Sequence, residues 1–263
     1  MRVQPRARIT VVLAVVYLAI VCVIWWMTGT DYETVGDTTR NVARGIVLPV
    51  GIGAVFLIAA ASYLGWWRPA LREARPAGPR WLLLIPVFFF VAAVGTLLSR
   101  NVSSLAPTYL LLLAVGALLI GFSEEFLCRG LGLVGLRGSV SEPAAWLWSC
   151  VVFAFLHGAN ALFGAAVGAT LTQMGFAFVA GTVLYVTRRV TGALIWCMLL
   201  HAFWDFSSIA SGAASTGTTS PWAALALVEW LAFILAFVGV VVLFRRHAAT
   251  AVAAPAPTAA GQA

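Results

Sequence analysis

Eight stretches of this chain stay apolar for long enough to cross a lipid bilayer, and that feature constrains the fold more than any other. They run at about 9–27, 45–67, 81–98, 108–136, 143–157, 166–187, 191–211 and 221–244. Of the 263 residues, 62% are hydrophobic and only 10% are charged, too few polar groups to cover a water-facing domain of this size. The expected fold is therefore all-α: a polytopic membrane protein of about eight transmembrane helices enclosing an intramembrane polar cavity. Residues 1–247 form one transmembrane domain, with a functional core at about 81–211. The Ala/Pro-rich tail 248–263 has no charge and no apolar period, so it is expected to be disordered and cytoplasmic.

The first stretch follows Arg2, Arg6 and Arg8, ends in Trp25-Trp26 and lacks an obvious small-residue cleavage site, so it reads as a retained signal anchor. The fourth is long enough to tilt or kink, and Gly130, Gly132 and Gly135 mark where a bend is expected. The fifth is short, which places His157 where a helix ends inside the protein.

All 16 basic residues are arginine, and they give the net charge of +7. They cluster between apolar segments, a pattern of membrane topology rather than of nucleic-acid binding. An inside N-terminus puts Arg2, Arg6, Arg8, Arg68, Arg72, Arg75, Arg80, Arg137, Arg188, Arg189, Arg245 and Arg246 in the cytoplasm, and only Arg40, Arg44 and Arg100 outside. Twelve against three gives a multi-pass protein of the cell membrane with both termini cytoplasmic. Cys22, Cys128, Cys150 and Cys197 all lie in apolar runs, with neither metal-type spacing nor a disulfide framework, and read as small buried hydrophobes. No HExxH pattern occurs. No internal repeat suggests a transporter built from two halves.

Within the spans, a charge near the bilayer centre costs roughly 2.5–3.5 kcal/mol, so each needs an explanation. Glu124, Glu125, Arg129, His157, His201 and Asp205 need one; Glu229 in the last span is a seventh that stands alone. At about 1.5 Å of rise per residue, Glu124, Glu125, His157, His201 and Asp205 lie roughly 16–23 Å from the cytoplasmic ends of their helices. Three helices thus bring polar groups to one level, which residues serving only as helix glue would have no reason to do. Glu125 and Arg129 are four apart with the acid first, the favourable order for an ion pair on one helix face. Glu124 points about 100° away and has Cys128 at its own i+4 position, which leaves it free for chemistry. Phe153 shares a face with His157, and His201 with Asp205, which can orient the imidazole. A glutamate beside a histidine can activate water as a general base, and the second histidine can face the oxygen that becomes negative in acyl transfer.

Three patterns occur in order in spans four, five and seven: EExxxR at Glu124–Arg129, FxxxH at Phe153–His157 and HxxxN/D at His201–Asp205. Together they resemble the type II CAAX prenyl protease family, also called CPBP, which includes bacterial Abi-type proteins. The resemblance covers about residues 81–211; the first two spans and the tail contribute nothing specific to it. It implies an intramembrane glutamate-dependent endopeptidase in which Glu124 and His157 activate water and His201 and Asp205 line the oxyanion site. Glu125–Arg129 is then a structural ion pair, and Phe153 lines the cavity. No cofactor or metal is implied. The implied partners are the lipid bilayer and a membrane-associated or lipidated peptide or protein, with no nucleic acid; oligomeric state is left open. Asp205 stands where the eukaryotic prenyl proteases carry Asn. An oxyanion site must donate hydrogen bonds, so Asp205 acts either as the neutral acid or by partnering a charged His201. Rival readings are a catalytically silent immunity or scaffold protein of the same fold, a transporter, and a metal enzyme using Glu124, His157 and His201.

Overall fold

The computed structural model describes residues 1–214 and 220–253. It is 83% helix, and the described residues contain no strand beyond an isolated bridge between Arg72 and Ala193. Among the described residues, eight helices are long and apolar enough to cross a membrane: Ala7–Thr28, Thr39–Leu64, Arg80–Leu98, Pro107–Arg137, Glu142–Phe163, Val167–Thr191, Leu194–Ala213 and Pro221–Arg246. We call them the first to eighth spans. They make the chain an integral, multi-pass membrane protein.

The fifth span is longer than its apolar run. Its α-helix ends at Leu156, and a 3₁₀ segment, His157–Phe163, carries it on, so His157 sits at the change of helix type. The last helix reaches Ala253, past the 244 expected for the span and into the tail expected to be disordered from 248, while the rest of the tail, 254–263, lies outside the described residues. A left-handed Gly192 (φ 72°) ends the sixth span, and the seventh begins at Leu194, so the chain reverses almost at once.

In hydrocarbon every backbone group needs a partner. Two stretches test this, because their hydrogen bonding widens from α to π: Ala43–Val47 in the second span and Phe126–Gly132 in the fourth. The first span serves both. Thr10 donates its hydroxyl to the Gly132 carbonyl at 3.0 Å, and the Trp25 indole donates to the Gly45 carbonyl at 2.7 Å. Both residues belong to the buried stripe Thr10, Leu13, Tyr17, Val21, Trp25, which fixes the rotation and depth of this helix.

The connections gather at two ends. At one, Arg2 N–H donates to the Leu64 carbonyl, Trp66 Nε1 to that of Val3 and Ala77 N–H to that of Arg189. At the other, Tyr32 N–H donates to Phe163 and Ser220 N–H to Ser99. The arginine-rich connections thus share an end. Between the two ends, the helix Pro107–Glu125 of the fourth span packs along the seventh.

Candidate active site

The fourth and seventh spans meet at Gly121, where a Cβ would overlap the Met198 carbonyl and lie 2.9 Å from the Ala202 nitrogen. Backbone touches backbone there, so the residues one turn on are forced close to the seventh span. Glu125 is the result. Its Oε1 accepts from Arg129 Nη1 at 2.8 Å and from His201 Nδ1 at 3.1 Å, with both Glu125 and Arg129 fully buried. The sequence reading gave Glu125 to Arg129 alone; the structure adds His201 as a third member. Asp205, expected to orient His201, has its Oδ2 3.4 Å from Nε2, too long for a well-formed hydrogen bond.

Phe153 lies among these groups. The Arg129 guanidinium stands 4.1 Å from its ring centroid, a cation–π contact. The rings of His157 and His201 meet it nearly at right angles, at 5.2 and 5.4 Å. The room for Arg129 comes from Gly181 in the sixth span, where a Cβ would lie 2.7 Å from Nη2.

His157 is fixed by its own helix. Its Nδ1–H donates to the Phe153 carbonyl at 3.0 Å, and because a carbonyl only accepts, the neutral ring keeps Nε2 as an acceptor. Glu124 has no such tie: its Oε2 is buried without a hydrogen-bond partner.

Two cavities flank this cluster. One, of 380 Å³, is lined by Glu124, His157 and Asp205 and extends to Tyr32 and Val35 of the connection after the first span. The other, of 310 Å³, is lined by Phe153, His157, His201 and Asp205, with aromatic walls at Phe89, Phe176 and Phe233. Glu124 and His201 thus face different cavities, while His157, Gln173, Trp204 and Asp205 line both.

Several residues here were not singled out from sequence. Gln173 donates to the Tyr32 phenol at 2.7 Å and accepts from Asn160 at 2.8 Å, which ties the sixth span to the first connection and to the turn after His157. Burial pushes the Tyr32 phenol above its ordinary value, so it remains a neutral hydroxyl. A lone glutamine in an apolar run was the signal for Gln173. Glu229, read as solitary, lines the second cavity with His157, His201 and Asp205. Among the described residues, no group of three or more His, Cys, Asp or Glu is arranged to hold a metal ion.

Fold and site together define a multi-pass membrane protein with carboxylates and imidazoles gathered inside its helix bundle. Residues 104–207 match the family model described as Type II CAAX prenyl endopeptidase Rce1-like, a stretch that contains all three motifs. The match supports placing the chain in the CAAX protease/CPBP family. No curated protein matches the chain, and no solved structure does.

Proposed function

We propose that this protein is an intramembrane endopeptidase that hydrolyses a peptide bond in a membrane-associated or lipidated substrate with a water activated by Glu124 and His157. One observation carries the reading. Glu124, with one carboxylate oxygen left without a hydrogen-bond partner, and His157 line one cavity within the bundle, and each can accept a proton from water. As water attacks, its oxygen bonds to the carbonyl carbon, one proton passes to Glu124, and the carbonyl π pair moves onto oxygen. His201 and Asp205 stabilise that oxygen. In this role His201 carries protons on both nitrogens, with Nδ1–H held by Glu125 and Nε2–H directed at the oxyanion. Collapse expels the amine, which takes the proton from Glu124. Arg129 and Glu125 hold the helices and the His201 ring in place.

Membrane-peptide proteomics of cells carrying wild-type protein against Glu124→Gln tests this. Peptides that accumulate uncut only in the variant are expected and would identify the substrate; identical peptide pools would favour a catalytically silent protein. The arginine distribution further supports both termini in the cytoplasm. Reporter fusions at Ala263 and near Asp37 should then give opposite answers, and matching answers would refute the orientation.

A further inference from the structure

Two buried polar atoms of residues lining the first cavity have no protein partner: Oε2 of Glu124 and the phenol oxygen of Tyr17. Buried polar groups are nearly always satisfied, because leaving one unpaired forfeits its hydration with nothing in return. Here the two orphans are complementary, since a phenol donates and a carboxylate accepts. Tyr17 is 3% exposed and lies in the first span, outside the stretch that matches the family model. Its position is built. It sits midway along the buried stripe whose ends, Thr10 and Trp25, cap the two π segments. Its ring lies against Gly53 of the second span, where any Cβ would collide with it.

We propose that Tyr17 is a third group on the nucleophilic water, donating a hydrogen bond to it while Glu124 and His157 accept its two hydrogens. This rests on the proteolytic reading above. Water has two hydrogens and two lone pairs. Glu124 Oε2 takes one hydrogen, and His157 Nε2 takes the other because Nδ1–H is already given to Phe153. Tyr17 O–H occupies one lone pair, and the remaining lone pair is the one that attacks. During attack the water proton passes to Glu124, and Tyr17 keeps its own. Three fixed directions leave the water one orientation, and pre-orienting a reactant lowers the entropic barrier. The competing assignment is a hydrogen bond between the Tyr17 phenol and the nearby Ser123 hydroxyl, which otherwise makes only a long 3.5 Å contact to the Val50 carbonyl.

The test places 3-fluorotyrosine at position 17 of the full chain and follows its ¹⁹F resonance in the unaltered background, Glu124→Gln and Ser123→Ala. In parallel, Tyr17→Phe is compared with wild type on a substrate cleaved in a Glu124-dependent way. The resonance should move with Glu124→Gln and not with Ser123→Ala. Tyr17→Phe should fold normally and lose roughly 10–100-fold in kcat, with KM within about twofold. A resonance that ignores Glu124→Gln, or Tyr17→Phe with wild-type kcat, overturns the proposal. If the resonance responds but wild-type protein cleaves nothing, the proteolytic reading falls, and with it Tyr17's catalytic role, leaving a water site shared with Glu124.

Discussion

Charged groups gather in two places in this molecule, and the two clusters are finished differently. At the arginine-rich end, Glu73 accepts from Arg188 at 2.7 Å and from Arg137 at 3.0 Å. Glu142 accepts from Tyr185 at 2.6 Å, from both Nε and Nη2 of Arg137 at 2.8 and 2.7 Å, and from Arg189. Arg188 is fully buried and also donates to the carbonyls of Pro69 and Ala70. Every oxygen of both acids is used. Inside the bundle the opposite holds, because Glu124 and Glu125 each leave Oε2 without a partner. With both carboxylates saturated, this cluster fastens helices together, and Arg189 Nε is the buried side-chain atom it leaves unpaired. The unsaturated one keeps groups in reserve, which is what a reaction centre requires. The arginines that read as topology markers in the sequence are, at Arg137, Arg188 and Arg189, also the fastening.

The largest effect that would sharpen this contrast is at Arg129, which fastens within the unsaturated cluster. Arg129→Ala leaves Glu125 buried without its cation, at a cost of about 3–5 kcal/mol, and Glu125→Gln does the converse. Low expression or a clearly reduced Tm in detergent is expected of both. An Arg129→Ala protein with wild-type Tm and no activity would mean that Arg129 acts on substrate directly.

A smaller effect separates two ways in which Asp205 can serve the site. Its 3.4 Å distance from His201 favours donation to the oxyanion over a pairing role. Asparagine also donates, so Asp205→Asn should keep activity close to wild type, whereas Asp205→Ala should lose roughly tenfold or more. A tenfold loss in Asp205→Asn would show that the residue instead sustains a charged His201.

The smallest effect lies at the saturated end. Burial raises the Glu73 carboxyl, but Arg137 and Arg188 outweigh it, and its pKa falls below the ordinary 4.5. The folded protein therefore binds fewer protons than the unfolded chain as pH drops through this range. The stabilisation by Glu73 is complete above about pH 4.5 and is lost as pH falls through the lowered value. Tm measured against pH should show an acid-side decline that is shallower in Glu73→Gln. Equal slopes would remove Glu73 from the fastening.

The contrast also separates what was legible in the sequence from what was not. The spans were legible because hydrocarbon demands about 20 apolar residues per crossing. Glu124, His157, His201 and Asp205 stood out because charges at that depth are costly, and helical spacing linked Glu125 to Arg129. Spacing within one helix says nothing about contacts between helices, so the bond from His201 to Glu125 was invisible. Gly121 and Gly181 matter through the atoms facing them on other spans, and nothing in their own segments marks them. Tyr17 looks like any aromatic in an apolar run, and its worth lies in an unpaired hydroxyl. The π segments were hidden for a related reason: a hydrogen bond that slips from the fourth to the fifth residue leaves no trace in composition. The pairing of Glu73 and Glu142 needed three connections to be brought to one end.

Purified Glu124→Gln, assayed for Tm and for turnover of a peptide that the wild type cleaves, tests the central claim most directly. Because Glu124 Oε2 fastens nothing, the variant should melt no lower than wild type while losing all turnover. Persisting turnover, or a fall in Tm like that expected of Arg129→Ala, would contradict the account.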